Sequence, residues 1–125
     1  MNRKLTALVI LTAASLIGLP GNVWAGDAAA GKALFEANCA SCHGTSGKGD
    51  GPVGAALNPP PRDFTVGDFK FDANGNGTPG EEEDLELVIQ KGAMAFGGSA
   101  LMAPWPTLSK EQIDDIIAYI RTFKK

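Results

Sequence analysis

Across 125 residues the chain has one histidine, one tyrosine and two cysteines, and it has no excess of basic residues. Each shortage excludes something. Cys39 and Cys42 stand too close in sequence to tie distant parts of a fold together, so no disulfide framework is available. His43 is the only histidine, and a zinc site built on these cysteines would need further Cys or His ligands. Lysine and arginine number 11 against 14 aspartates and glutamates, which argues against nucleic acid as a partner, because a phosphate binder needs a basic face. Beyond the N-terminal region no stretch is apolar for the roughly 20 residues that a membrane-spanning helix needs. Nor does any stretch alternate apolar and polar residues in the manner of a half-buried strand.

The N-terminus has the pattern of an export signal. Arg3 and Lys4 precede an apolar stretch from Leu5 to Leu19, Pro20 and Gly21 break it, and Val23-Trp24-Ala25 places small residues around a cut after Ala25. An uncleaved anchor is the alternative, but fifteen residues diluted by Thr6, Thr12 and Ser15 are short for one. The expectation is a cleaved signal over residues 1–25, a periplasmic destination, and a mature domain of residues 26–125 with no stable membrane insertion. Removing Arg3 and Lys4 leaves nine basic residues against fourteen acidic ones, a formal charge of −5. A domain of about one hundred residues has little apolar surface to bury and, lacking a disulfide, needs another stabiliser.

Cys39-Ala40-Ser41-Cys42-His43 supplies it, being the attachment sequence for c-type haem. Two thiols three positions apart on a helical turn can each add to one haem vinyl group, and the adjacent imidazole is then held beneath the iron. A thioredoxin-like redox pair has no need of the following histidine, and the strand–helix alternation of that fold is missing. With Gly44 after it, the motif resembles that of class I c-type cytochromes, the small monohaem cytochrome c family. The resemblance covers nearly all of Asp27 to Lys125, and its specificity lies mostly in residues 39–43. It implies an all-α fold of three main helices around one covalent haem c. It further implies a soluble electron carrier rather than an enzyme, meeting redox protein donors and acceptors transiently. Two other readings are a haem-bearing subunit of a larger exported oxidoreductase and a gas-binding sensor with an open sixth position.

With one histidine in the chain, a second histidine cannot complete the iron, and the sixth position falls to a methionine, to a weaker ligand or to none. Met1 leaves with the signal, so Met94 and Met102 remain. Met102, in Leu101-Met102-Ala103-Pro104-Trp105, resembles the family's methionine loop, although the family often has proline directly after the methionine. The resemblance therefore implies His43 and Met102 as the metal ligands, with Met94 a gap filler. It also implies that the Pro52 carbonyl, or in competition that of Pro60, accepts the outer N–H of His43. Arg62 and Trp105 are candidates for the haem propionates, and an ion pair of Arg62 with Asp63 or Asp68 is the alternative.

Three helices follow from local pattern. Asp27 to about Cys39 is alanine-rich, with Gly31 and Phe35 on one face. Glu82 to Lys91 turns Leu85, Val88 and Ile89 inward and stops at Gly92. The last helix has a capping box in Ser109 and Gln112, then Ile113, Ile116, Ile117 and Ile120 as a buried stripe. Its acidic start and basic end suit the helix dipole, and Tyr119 is expected to pack on the first helix. Between the first and third helices, Asp72-Ala-Asn74-Gly-Asn76-Gly77 with Glu83 fits a calcium-loop pattern. Pro79 in a normally aliphatic position and the lack of a second copy favour a polar, glycine-rich turn instead.

Overall fold

The computed structural model describes residues 26–125, so the expected export signal lies outside the described residues. Four α-helices are joined by loops and short 3₁₀ turns: α1 (Ala28–Asn38), α2 (Ala40–His43), α3 (Glu82–Lys91) and α4 (Lys110–Arg121). No strand occurs among the described residues, as the sequence pattern predicts. None of these helices is long and apolar enough to cross a membrane.

Helices α1 and α4 form the centre. The Asp27 carboxylate caps α1 by accepting from the Ala29 and Ala30 amides at 2.8 and 3.3 Å. The Asp27 amide in turn donates to Asp115 on α4 at 2.6 Å. Where the helices cross, a Cβ on Gly31 would fall inside the Asp115 carbonyl, so only glycine permits this approach. Phe35 is then sealed at 0% exposure against the buried isoleucine stripe of α4, with Tyr119 edge-on at 5.3 Å. Each such buried side chain contributes about 1.5–3 kcal/mol from removal of apolar surface. The capping box of α4 is closed in both directions, Gln112 N–H to Ser109 at 3.2 Å and Ser109 N–H to Gln112 at 2.9 Å.

Helix α3 buries Leu85 and Ile89 while Val88 stays half-buried. Its third residue, Asp84, is fully buried, which the apolar pattern does not suggest. One oxygen accepts from the amides of Ala73 and Asn74 at 2.7 and 3.1 Å, and the other from Glu81 at 2.9 Å. Asp84 thus closes the loop of residues 72–81 onto the start of α3, the place that the calcium pattern gives to Glu83. The remaining loop oxygens turn to the loop's own amides: Asp72 accepts from Asn76 and Gly77, and Asn76 accepts from Thr78. Among the described residues no three His, Cys, Asp or Glu side chains are grouped to hold a metal ion.

Burial pushes the Asp84 carboxyl up, but backbone N–H groups of Asn74, Glu81, Ala73 and Gly80 outweigh it and hold the group below its ordinary 3.8. A folded-state value below the unfolded one adds stability that is full above about pH 4 and is lost as pH falls through the folded value. Asp84→Ala strands partly buried amides and is expected to lower stability by about 2–4 kcal/mol at pH 7. Urea unfolding of the holoprotein across pH checks both statements. The wild type should weaken below pH 4, and Asp84→Asn should be weaker at neutral pH and lose less on acidification. Equal acid sensitivity in the two proteins would contradict the assignment.

Candidate functional site

The attachment motif is a single helical turn. The amides of Cys42 and His43 both donate to the Cys39 carbonyl, at 3.2 and 2.9 Å, which gathers the thiol of Cys39, the N-cap of α2, with the thiol and imidazole of Cys42 and His43 on one turn. Gly44 ends the turn with φ 77°. A helix this short leaves its carbonyls without intrahelical partners, and the following loop returns to take them. Gly49 donates to His43 at 2.8 Å, Gly51 to Cys42 at 3.2 Å and Val53 to Ser41 at 2.9 Å. A Cβ on Gly51 would collide with the Ala40 and Ser41 carbonyls, and one on Gly54 with that of Cys42. The glycines of this loop are what let it close against the motif.

Cys39 and Cys42 are half-buried and not joined to each other. Burial, and secondarily the neighbouring Cys42, pushes the Cys39 thiol up to about 11. A redox-active dithiol needs the opposite, a thiolate favoured near neutral pH. The half-buried surroundings of both thiols suit addition to vinyl groups on a hydrophobic macrocycle.

His43 is half-buried, and burial holds its imidazole below the ordinary 6.5, with the Arg62 backbone carbonyl pulling weakly the other way. The neutral ring keeps a lone pair for a metal. Its Nδ1 is buried with no hydrogen-bond partner. Neither Pro52 nor Pro60 serves it, contrary to the expectation from the motif. The Arg62 carbonyl is the one that acts on the ring, without reaching hydrogen-bond geometry. The chain path explains the change. Phe64 N–H binds the Gly47 carbonyl at 2.7 Å and the Pro61 carbonyl seats against Gly49, which draws residues 61–64 behind the ring. On the Pro52 side, the Val53 amide is turned onto α2 instead.

Phe64 stacks on the His43 ring at 4.5 Å between centroids and 18° between planes. Phe69 and Phe123 stack behind Phe64 at 5.8 and 6.4 Å, and Phe35 meets it edge-on at 6.3 Å. Sequence reasoning missed this wall except for Phe35, because Phe64 and Phe69 lie in irregular chain with no period to mark them. Lys70 pairs with Asp68, and Asp63 binds Thr65, so neither acidic neighbour makes an ion pair with Arg62.

The two methionines are held differently. Met102 is half-buried, its carbonyl accepts from Ala93 at 3.2 Å and its amide donates to Ser99 at 3.2 Å. A little further along the backbone, Trp105 N–H reaches Ile89 on α3 at 2.9 Å. Gly92, at φ 78°, would put a Cβ 2.9 Å from the Met102 carbonyl, so the methionine segment lies directly on the end of α3. Met94, on the 3₁₀ turn Ala93–Phe96, is 69% exposed.

These residues fit a covalent haem. Two unpaired thiols on one turn, a neutral imidazole beside them and an aromatic wall are what such a group needs. The unpartnered Nδ1 fits as well, because ligation through Nε2 would fix the proton on Nδ1, on the side where the Arg62 carbonyl acts.

Comparison with known proteins agrees. The family model for Cytochrome c matches residues 28–124. Cytochrome c-554(547) of Halothiobacillus neapolitanus is 41% identical over 103 residues, covering 80% of this chain and all of that protein. Cytochrome c6 of Rippkaea orientalis is 30% identical over 120 residues, covering 96% of this chain and 92% of that protein. Among solved structures, a chain of the Kuenenia stuttgartiensis reducing HAO-like protein complex matches with TM-score 0.64 and 33% identity over 76% of this chain. The match covers 41% of that longer chain.

Proposed function

The chain belongs to the cytochrome c family and carries covalent haem c, and from that premise we propose that it is an exported, diffusible one-electron carrier whose iron is held by His43 and Met102. The observation that carries the ligand assignment is the anchoring of Met102: its backbone is bound at the end of α3 and its side chain is half-buried, whereas Met94 is 69% exposed.

Once attached, the haem supplies an iron that changes oxidation state by one electron. The chain does the rest. Cys39 and Cys42 anchor the macrocycle to α2. His43, kept neutral by burial, offers its Nε2 lone pair. The Met102 thioether would be the second protein ligand, would favour the reduced iron and would keep small molecules from it. The aromatic wall excludes water from the histidine side. Little is left to rearrange between oxidation states, which suits transfer rather than catalysis.

Partners are redox proteins met briefly through a small interface. A formal charge of −5 over residues 26–125 favours encounter with a basic patch on the partner, so exchange should slow as salt rises. Export is supported by the charged start, apolar stretch and small-residue cut site over residues 1–25.

A second reading, a haem subunit within a larger oxidoreductase, draws on the likeness to a chain of the reducing HAO-like protein complex. Gel filtration of a periplasmic extract, followed at the haem absorbance, separates the two. The carrier elutes as a small free protein with a visible spectrum unaffected by carbon monoxide. Elution at several times the chain's mass would favour the subunit, and a spectrum altered by the gas would overturn methionine ligation.

A further inference from the structure

We propose that Phe64 is a positioning residue for His43, fixing through its stacked ring the plane in which the imidazole meets the iron. This role rests on the reading of His43 as an axial ligand and goes beyond it.

Hydrogen bonding does little to orient the ring: the Arg62 carbonyl acts on it without reaching hydrogen-bond geometry at Nδ1. A histidine side chain turns easily about its terminal torsion, whose energy wells are broad. A ligating histidine is ordinarily fixed by a hydrogen bond from its second nitrogen. Here Nδ1 is buried and the Arg62 carbonyl on that side stays outside hydrogen-bond geometry. Nearby rings are Phe35, tilted at 46° with its centroid 6.5 Å away, and Phe64, close to parallel at 4.5 Å. The Phe64 stack is therefore the contact with the strongest directional content.

Phe64 can hold a plane because it is itself held. It is 8% exposed, and Phe69 and Phe123 stack on it while Phe35 meets it edge-on. Its amide is tied to Gly47, within the loop that follows the motif, at 2.7 Å. Asp63 caps the 3₁₀ turn Phe64–Val66 by accepting from the Thr65 amide and hydroxyl at 2.8 and 2.6 Å. Gly67, at φ 68°, ends that turn. The wall therefore reaches from the C-terminal Phe123 through Phe64 to the ligand, and rotation of the imidazole would have to displace packed rings.

The plane of an axial imidazole sets which iron d orbital its π electrons meet, and so how unpaired spin spreads over the four haem methyl groups of the ferric protein. Proton NMR of the ferric holoprotein reads that spread directly. Phe64→Leu keeps an apolar side chain but removes the stacking ring, and the order or spread of the four methyl shifts should change. Phe64→Tyr keeps the ring, and the wild-type pattern should return. An unchanged pattern in Phe64→Leu, or a change in Phe64→Tyr as large as in Phe64→Leu, would overturn the proposal.

The ferrous wild type provides a test that needs no variant. A ligated His43 shows ring protons shifted strongly upfield by the porphyrin ring current, and these should give nuclear Overhauser contacts to the Phe64 ring. Upfield shifts without those contacts would overturn the positioning role and leave ligation intact. Absence of the upfield shifts would overturn ligation by His43 and the positioning role with it.

Discussion

Replacing both Cys39 and Cys42 with alanine yields little holoprotein and a largely unfolded chain. The expectation follows from how little else holds the domain. Over residues 26–125 there are only ten buried hydrophobic residues, two of them alanines, and no disulfide. The α1–α4 crossing supplies one packed centre, but the attachment turn, its glycine loop and the aromatic wall gather around the residues that would hold the haem. Small domains have total stabilities of about 5–15 kcal/mol, so loss of one shared packing partner is a large fraction of the whole. Single variants retain one thioether and should fall between the wild type and the double variant. Pyridine haemochrome spectra measure the attached haem, and far-ultraviolet circular dichroism measures the helices. A double variant with native helical content and no haem would show that the protein core stands alone and would remove the structural role given to the cofactor.

Met102→Ala gives the second large effect. With its carbonyl bound by Ala93 and the Trp105 amide bound by Ile89, the loop keeps its backbone anchors when the side chain is cut back. The iron should lose its sixth ligand, so carbon monoxide now alters the ferrous spectrum and the sulfur-to-ferric charge-transfer band disappears. The reduction potential should fall, since a thioether favours the ferrous state. Axial ligand choice spans about 0.8 V across haem proteins, so a drop on the order of 100 mV or more is expected, roughly fifty-fold in the equilibrium constant at about 59 mV per tenfold. Met94→Ala, at a position 69% exposed, should leave all three readouts at wild-type values. If the two variants exchange behaviours, Met94 is the ligand, and membership of the cytochrome c family is unaffected.

Several parts of this molecule are legible in the sequence because their causes lie within a few residues. Cys39, Cys42 and His43 announce haem attachment because thioether chemistry requires that spacing on one turn. Ser109, Gln112 and the isoleucines of α4 announce a capped, one-faced helix because capping and the helical period act over three or four positions. Gly31 with Phe35 marks the face that α4 covers, since close helix contact demands a small residue beside a large one.

The tertiary structure decided what depends on distant chain meeting. Asp84 reads as one more acid in an acidic first turn; burial and the amides of residues 73, 74 and 81 make it the closure of a loop whose pattern suggests calcium. Met94 and Met102 are alike as residues, and the end of α3 anchors one of them while the other stays exposed. The surroundings of His43 depart furthest from expectation. The family resemblance points to Pro52 or, in competition, Pro60, but residues 61–64, joined to Gly47 across the loop, bring the Arg62 carbonyl and the Phe64 ring to the imidazole instead. Local rules write turns, caps and periods into short windows of sequence, whereas the neighbours of a ligand are set by where loops close, and loop closure is a property of the packed whole.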